Sequence, residues 1–112
     1  MMSSSTSFVL NMFINGLEEI LGNHLEKIVL YGSYARGDYE SNSDIDVMIL
    51  TNLEDDEIEE YRARVCDLAY DMEIENDVIL SPLIKNINKY QSRVEVIPFY
   101  TNIHREGVVL YG

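Results

Sequence analysis

The stretch 27–50, KIVLYGSYARGDYESNSDIDVMIL, limits the fold more than any other part of the chain. An apolar run at 28–31 meets a turn at Gly32 and Ser33. A polar loop follows, and Asp44 and Asp46 then flank Ile45 at the head of a second apolar run, 47–50. Both runs are short and bounded by turn residues, so they read as strands, about 26–31 and 44–50. The Val-Met-Ile-Leu run of the second predicts burial on both faces. The link between them is too short for a full crossover helix, which excludes a doubly wound parallel sheet.

The flanking segments supply helices. Val9, Leu10, Phe13, Ile14, Leu17, Ile20 and Leu21 recur at three- and four-residue steps, which predicts a helix over 7–21 with Ser7 as its cap and 1–6 frayed. A long helix over 52–77 places Ile58, Tyr61, Val65, Leu68, Ala69 and Met72 on one face, begun by Asn52 or Glu54 and with acids crowding its first turn. The next strand, 78–84, contains Pro82, which points to an edge position or a bulge. A helical turn at 86–91 follows. Pro98 then opens a last helix that carries Phe99 and Ile103 on one face and stops at Gly107. The apolar tail 108–111 adds a strand or covers the core. The order predicts an α+β domain filling 1–112, a small mixed β-sheet backed by helices.

Composition narrows the functions available. With 46% hydrophobic and 25% charged residues the chain has the makings of a packed core rather than of a disordered segment. Its net charge of −12 repels a phosphate backbone, which disfavours nucleic acid as a partner. No apolar run approaches the roughly 18 residues of a membrane span. The lone Cys66 excludes an intrachain disulfide and reads as a small buried or half-buried residue of the long helix. With no export signal at the start, these features point to the cytoplasm. His24 and His104 lack ligand spacing and read as surface residues. Tyr61, Tyr90, Phe99 and Tyr100 read as core aromatics before a contact patch.

The chemistry concentrates in the first stretch. Residues i and i+2 of a strand share a face, so Asp44 and Asp46 present two carboxylates together while Ile45 points into the core. Such a pair repels unless a cation lies between them, and hard oxygen ligands suit Mg²⁺, which commonly takes one or two carboxylates plus phosphate oxygens. A glycine after a strand admits a bulky anion to the backbone, so Gly32 and Ser33 are candidate phosphate ligands. Arg36 is the supporting cation, Gly37 allows the loop's sharp exit, and Ser43 braces the turn into the second strand. A P-loop is excluded because its Gly-Lys-Ser/Thr ending is missing. In haloacid-dehalogenase-like phosphatases the Asp-x-Asp follows a strand, whereas here it begins one.

Gly32-Ser33-Tyr34-Ala35-Arg36-Gly37, followed by Ser43-Asp44-Ile45-Asp46, resembles the signature of the DNA polymerase β-like nucleotidyltransferases, and most nearly their minimal (MNT) members. The resemblance implies their fold and the transfer of a nucleoside monophosphate, AMP for choice, from ATP or another NTP to an acceptor hydroxyl. It gives the metals, two Mg²⁺ ions, to Asp44 and Asp46 as catalytic residues, and the nucleotide to Gly32, Ser33, Arg36 and Ser43. It also implies a helical HEPN-type partner in a toxin–antitoxin pair, with a partner tyrosine as acceptor; a homo-oligomer is compatible too. Active members carry a third carboxylate on the next core strand. That strand here has no acid: Ser81 stands near the expected place, and Glu73, Glu75, Asp77 and Glu95 lie outside it. A second reading is therefore a catalytically weak or inactive nucleotide-binding antitoxin subunit that acts through protein contact.

Overall fold

The computed structural model describes residues 4–112, and the side chains from Ser5 onward. In chain order the elements are α1 (Ser4–Leu21), a 3-10 turn (Gly22–His24), β1 (Leu25–Tyr31), α2 (Ser33–Arg36), β2 (Ile45–Thr51), α3 (Asp55–Asn76), β3 (Leu80–Asn86), α4 (Ile87–Arg93), α5 (Pro98–Glu106) and β4 (Val108–Tyr111). The strands form one mixed sheet in the order β3-β2-β1-β4. β1 runs antiparallel to both β2 and β4, and β2 runs parallel to β3. The parallel step needs a crossover, and α3 supplies it.

Alternation along β2 divides the core in two. Ile45, Val47 and Ile49 face α1 and α3, where Phe13, Leu17, Ile28, Val65 and Met72 complete the larger cluster. Met48 and Leu50 face the opposite way and join Val29, Tyr90 and Ile103 under α4 and α5. All of residues 47–50 are buried, as their unbroken apolar run predicts. Asp46 has the parity of Met48 and Leu50, so it opens on the α4/α5 side while Ile45 is wholly buried behind it.

Local chemistry sets most boundaries. Glu54 begins α3 with a capping box completed by Glu57, whose carboxylate accepts the Glu54 N–H at 2.9 Å. Asp55, Asp56 and Glu57 fill its first turn, the end of the helix dipole that favours acids. Pro98 opens α5 at a position whose N–H has no helical partner. Pro82 lies on β3, at the sheet's edge, as a residue without an N–H requires. The tail becomes β4 and occupies the other edge.

Several expectations need correction. α1 begins by Ser4 rather than at Ser7, and Thr6 is buried, so the frayed segment expected over 1–6 does not extend through Thr6; residues 1–3 lie outside the described set. Ser7 is thus inside the helix and is not its cap. Cys66 is exposed: α3 buries Val65 and Ala69, and Cys66 falls on the flank between them. β3 starts later and runs further than 78–84 because Ile79 is still in the approach, its carbonyl accepting the Ile45 N–H at 2.8 Å. The short helix α2 replaces a simple turn. Of the aromatics, Tyr90 is buried, Tyr61 and Tyr100 are half-buried, and Phe99 is 47% exposed. His24 is half-buried, its Nδ1 lying 2.8 Å from Asn52 Oδ1, and His104 is exposed. Among the described residues no helix is long and apolar enough to cross a membrane.

Candidate functional site

The site forms where the end of β1 lies against the start of β2. Tyr31 is the register partner of Asp46 across the antiparallel pair, and Ser81 is its partner across the parallel one. Three adjacent strands thus bring Tyr31, Asp46 and Ser81 into one row on the same sheet face. Asp44 lies one residue before β2, exposed, and its Oδ2 accepts a hydrogen bond from the Ser81 hydroxyl at 3.1 Å.

Gly32 joins this row to the phosphate-sized turn. Its backbone has φ 75° and ψ −153°, a region costly for any residue with a side chain. A Cβ there would also overlap the Asp46 carboxylate. The turn therefore packs directly on the second aspartate, and only glycine satisfies both demands. Gly32 caps α2, its carbonyl accepting N–H groups from Ala35 and Arg36, both at 3.1 Å. The first turn of a helix leaves N–H groups without helical acceptors, and in α2 these belong to Ser33 and Tyr34. Gly37 ends α2 in the left-handed region and starts the polar loop. That loop is held down by Tyr39, stacked on Tyr34 with ring centres 4.1 Å apart and planes 7° from parallel.

Burial raises the Asp46 carboxyl above the ordinary carboxylate range, and repulsion from Asp44 adds to the rise. Arg36 pulls the other way. The same burial and the Asp46 charge raise the Tyr31 phenol, which stays protonated at neutral pH. An incoming cation relieves the repulsion between the two aspartates. Among the described residues no three His, Cys, Asp or Glu side chains converge on one point. A cation at Asp44 and Asp46 must therefore complete its shell with phosphate and water, the habit of Mg²⁺ rather than of Zn²⁺ or Ca²⁺. The donor set fits a nucleotide-borne Mg²⁺.

The predicted site residues divide into two groups. Gly32, Arg36 and Asp46 share the walls of one cleft of about 260 Å³; Ser33 follows Gly32 in the chain, and Asp44 is tied to the row through Ser81. Arg36 is paired to Asp38 at 3.1 Å on the surface, a contact weak enough to exchange for a phosphate. Ser43 stands apart. Its hydroxyl accepts the Glu40 N–H at 2.8 Å, so it braces the loop, and it lines a different hollow with Tyr34, Asp77 and Ile79. None of the acids considered as a third carboxylate joins the row. Glu73 accepts the Leu80 N–H at 3.0 Å, Asp77 closes α3 with φ 54°, and Glu75 and Glu95 are exposed elsewhere.

Five residues of the cleft, Tyr31, Ile103, Phe99, Asn102 and Glu106, were not among those candidates. The available signal was the helical spacing of the last three. Phe99, Asn102 and Glu106 stand at i, i+3 and i+7, one face of the helix that Pro98 announces.

Comparison with known proteins follows the same outline. A family model described as a nucleotidyltransferase domain matches residues 10–109. Two proteins of Methanocaldococcus jannaschii, each called a "putative protein adenylyltransferase", are similar. One is 31% identical, covering 88% of this chain and 91% of its own length. The other is 34% identical, covering 68% and 75%. Among solved structures, a chain of a toxin-antitoxin crystallised with AMP-PNP aligns with a TM-score of 0.57 at 24% identity, over 91% of this chain and 72% of that one. A "putative minimal nucleotidyltransferase" aligns with a TM-score of 0.57 at 17% identity, over 95% of both chains. At these identities the two structures establish a shared fold.

Proposed function

Since the chain belongs to the nucleotidyltransferase domain family, we propose that it transfers AMP from Mg²⁺–ATP to an acceptor hydroxyl, in the cytoplasm, as the antitoxin-like half of a two-protein pair. The acceptor is a tyrosine of a helical HEPN-type partner. The carrying observation is the contact between Gly32 and Asp46, which sets a phosphate-sized turn directly against the carboxylate pair. The adenylyltransferase names of two relatives and the AMP-PNP and toxin-antitoxin context of a structural neighbour support the nucleotide and the partner.

The chain's own groups divide the work. Ser33 and Tyr34 N–H groups and the Arg36 guanidinium bind the triphosphate, with Ser43 bracing the loop that leads from the turn to Asp44. Asp44 and Asp46 hold the metal ions, two when the site is fully loaded. Bound there, Mg²⁺ neutralises charge on the phosphates and favours the attacking oxygen. The acceptor oxygen forms a bond to the α-phosphorus, the α–β anhydride bond breaks, and pyrophosphate leaves with the hydroxyl proton released to water.

One observation favours a second reading. Ser81, not an acid, completes the row with Asp46 and hydrogen-bonds Asp44. A hydroxyl neither holds a metal as a carboxylate does nor takes a proton at neutral pH. A binding subunit with weak or no transfer fits that substitution. Labelled ATP, Mg²⁺ and a candidate helical HEPN-type partner separate the two. Transfer predicts label on the partner, lost in Asp44→Asn and Asp46→Asn. Absence of label with Mg²⁺–ATP still raising the melting temperature selects the second reading, and absence of both rejects the two together.

A further inference from the structure

α5 is fixed to the sheet by its apolar side. Ile103, 2% exposed, enters the second core beside Val29, Met48, Leu50 and Tyr90. Just after α5, Gly107 comes so close to β1 that a Cβ would overlap the Val29 side chain and the Ile103 carbonyl. Anchored in this way, the helix turns Phe99, Asn102 and Glu106 toward the turn at Gly32 and the start of β2, where all three line the same cleft as Gly32, Arg36 and Asp46. Phe99 meets Tyr31 edge to face, with ring centres 5.7 Å apart. Among the described residues, neither the Asn102 nor the Glu106 side chain makes a hydrogen bond or ion pair, so both are free to serve a ligand.

This wall differs in character from the turn opposite. The turn offers backbone donors and a guanidinium, which suit phosphate. The α5 side offers aromatic rings, an amide and a carboxylate. Glu106 repels phosphate and accepts hydrogen bonds from neutral donors, such as ribose hydroxyls or an exocyclic amine. An aromatic ring gives a base a surface to stack on, and an Asn amide matches the donor and acceptor edge of adenine. The cleft, about 260 Å³, has room for one nucleoside-sized group beside the phosphate turn.

We propose that α5 forms the nucleoside half of the site: Phe99 with Tyr31 flanks the base, and Asn102 and Glu106 hydrogen-bond base and ribose while Gly32, Ser33 and Arg36 hold the phosphates. This rests on the ATP-dependent function proposed above. It gives the last part of the chain a direct role in recognising the nucleotide, beyond completing the sheet.

Calorimetric titration in Mg²⁺ with ATP and with inorganic tripolyphosphate tests it on the wild type and on Phe99→Ala, Asn102→Ala and Glu106→Gln. All three positions are exposed, so the variants are expected to fold, and melting curves check that. The expected result is that ATP affinity falls about tenfold for Phe99→Ala and about three- to tenfold for each polar variant, while tripolyphosphate affinity is unchanged. Unchanged ATP affinity in all three overturns the proposal and leaves the transferase reading intact. If ATP affinity holds but transfer to the partner falls, the cleft receives the acceptor and the proposal is equally overturned. Equal losses for ATP and tripolyphosphate overturn it too, by showing that α5 merely supports the phosphate turn. If the wild type binds neither ligand, the transferase reading fails with it.

Discussion

Gly32 carries two constraints at once, a positive φ and contact with Asp46. Gly32→Ala is expected to destabilise the protein by about 1–3 kcal/mol from backbone strain alone and to abolish Mg²⁺–ATP binding by displacing Asp46; urea unfolding and calorimetry check the two effects separately. Asp46 makes the opposite trade. Its carboxyl is raised by burial first and by Asp44 second, so the native state keeps this proton to higher pH than the unfolded chain does. The stability tied to that proton is present below the ordinary carboxylate value and is lost as pH rises through the raised native value. Without metal, Asp46→Asn should therefore melt higher than wild type at pH 7, by a margin that shrinks toward pH 4, and Mg²⁺–ATP should no longer raise its melting point. Thermal scans at the two pH values test the sign. Ser81→Asp adds the missing carboxylate beside Asp44. It should lower the metal-free melting temperature through added repulsion and raise the rate of label transfer by about 100-fold or more if proton removal limits the reaction.

At the scale of elements, α5 joins the second core to the cleft through Ile103. Ile103→Ala should cost about 2–5 kcal/mol and weaken ATP binding more than tripolyphosphate binding, since the helix loses its anchor while the turn at Gly32 does not. Several features were legible in the sequence because their signals are local. The Asp-x-Asp alternation turns Ile45 into the core and Asp46 away from it, Pro82 fits an edge strand, and Glu54, one of the two residues expected to begin the long helix, does begin α3. What the sequence hid depends on contacts distant along the chain. Nothing local shows that α5 folds back over β1 and sets Glu106 in the same cleft as Asp46, or that Ser81 lies opposite Asp46 in a parallel register. The burial of Thr6 and the exposure of Cys66 depend likewise on which helix faces meet the sheet.

For the whole molecule, the sheet separates support from chemistry. One face carries α1 and α3 over the larger core, and the other carries α4, α5 and the cleft. The chain has a net charge of −12, yet the candidate site asks for a polyanionic nucleotide. That requirement places the weight on local charge: Arg36, the α2 donors and a divalent cation at the aspartates must outweigh the surrounding field. Mg²⁺ and ATP should therefore bind as a coupled pair, each weak without the other. The most direct test is transfer of label from α-labelled ATP to the helical partner in Mg²⁺, with wild type beside Asp44→Asn and Asp46→Asn. The account predicts a labelled partner tyrosine with the wild type and none with either variant. Label that persists in both variants, or a wild type that does not label the partner, would contradict it.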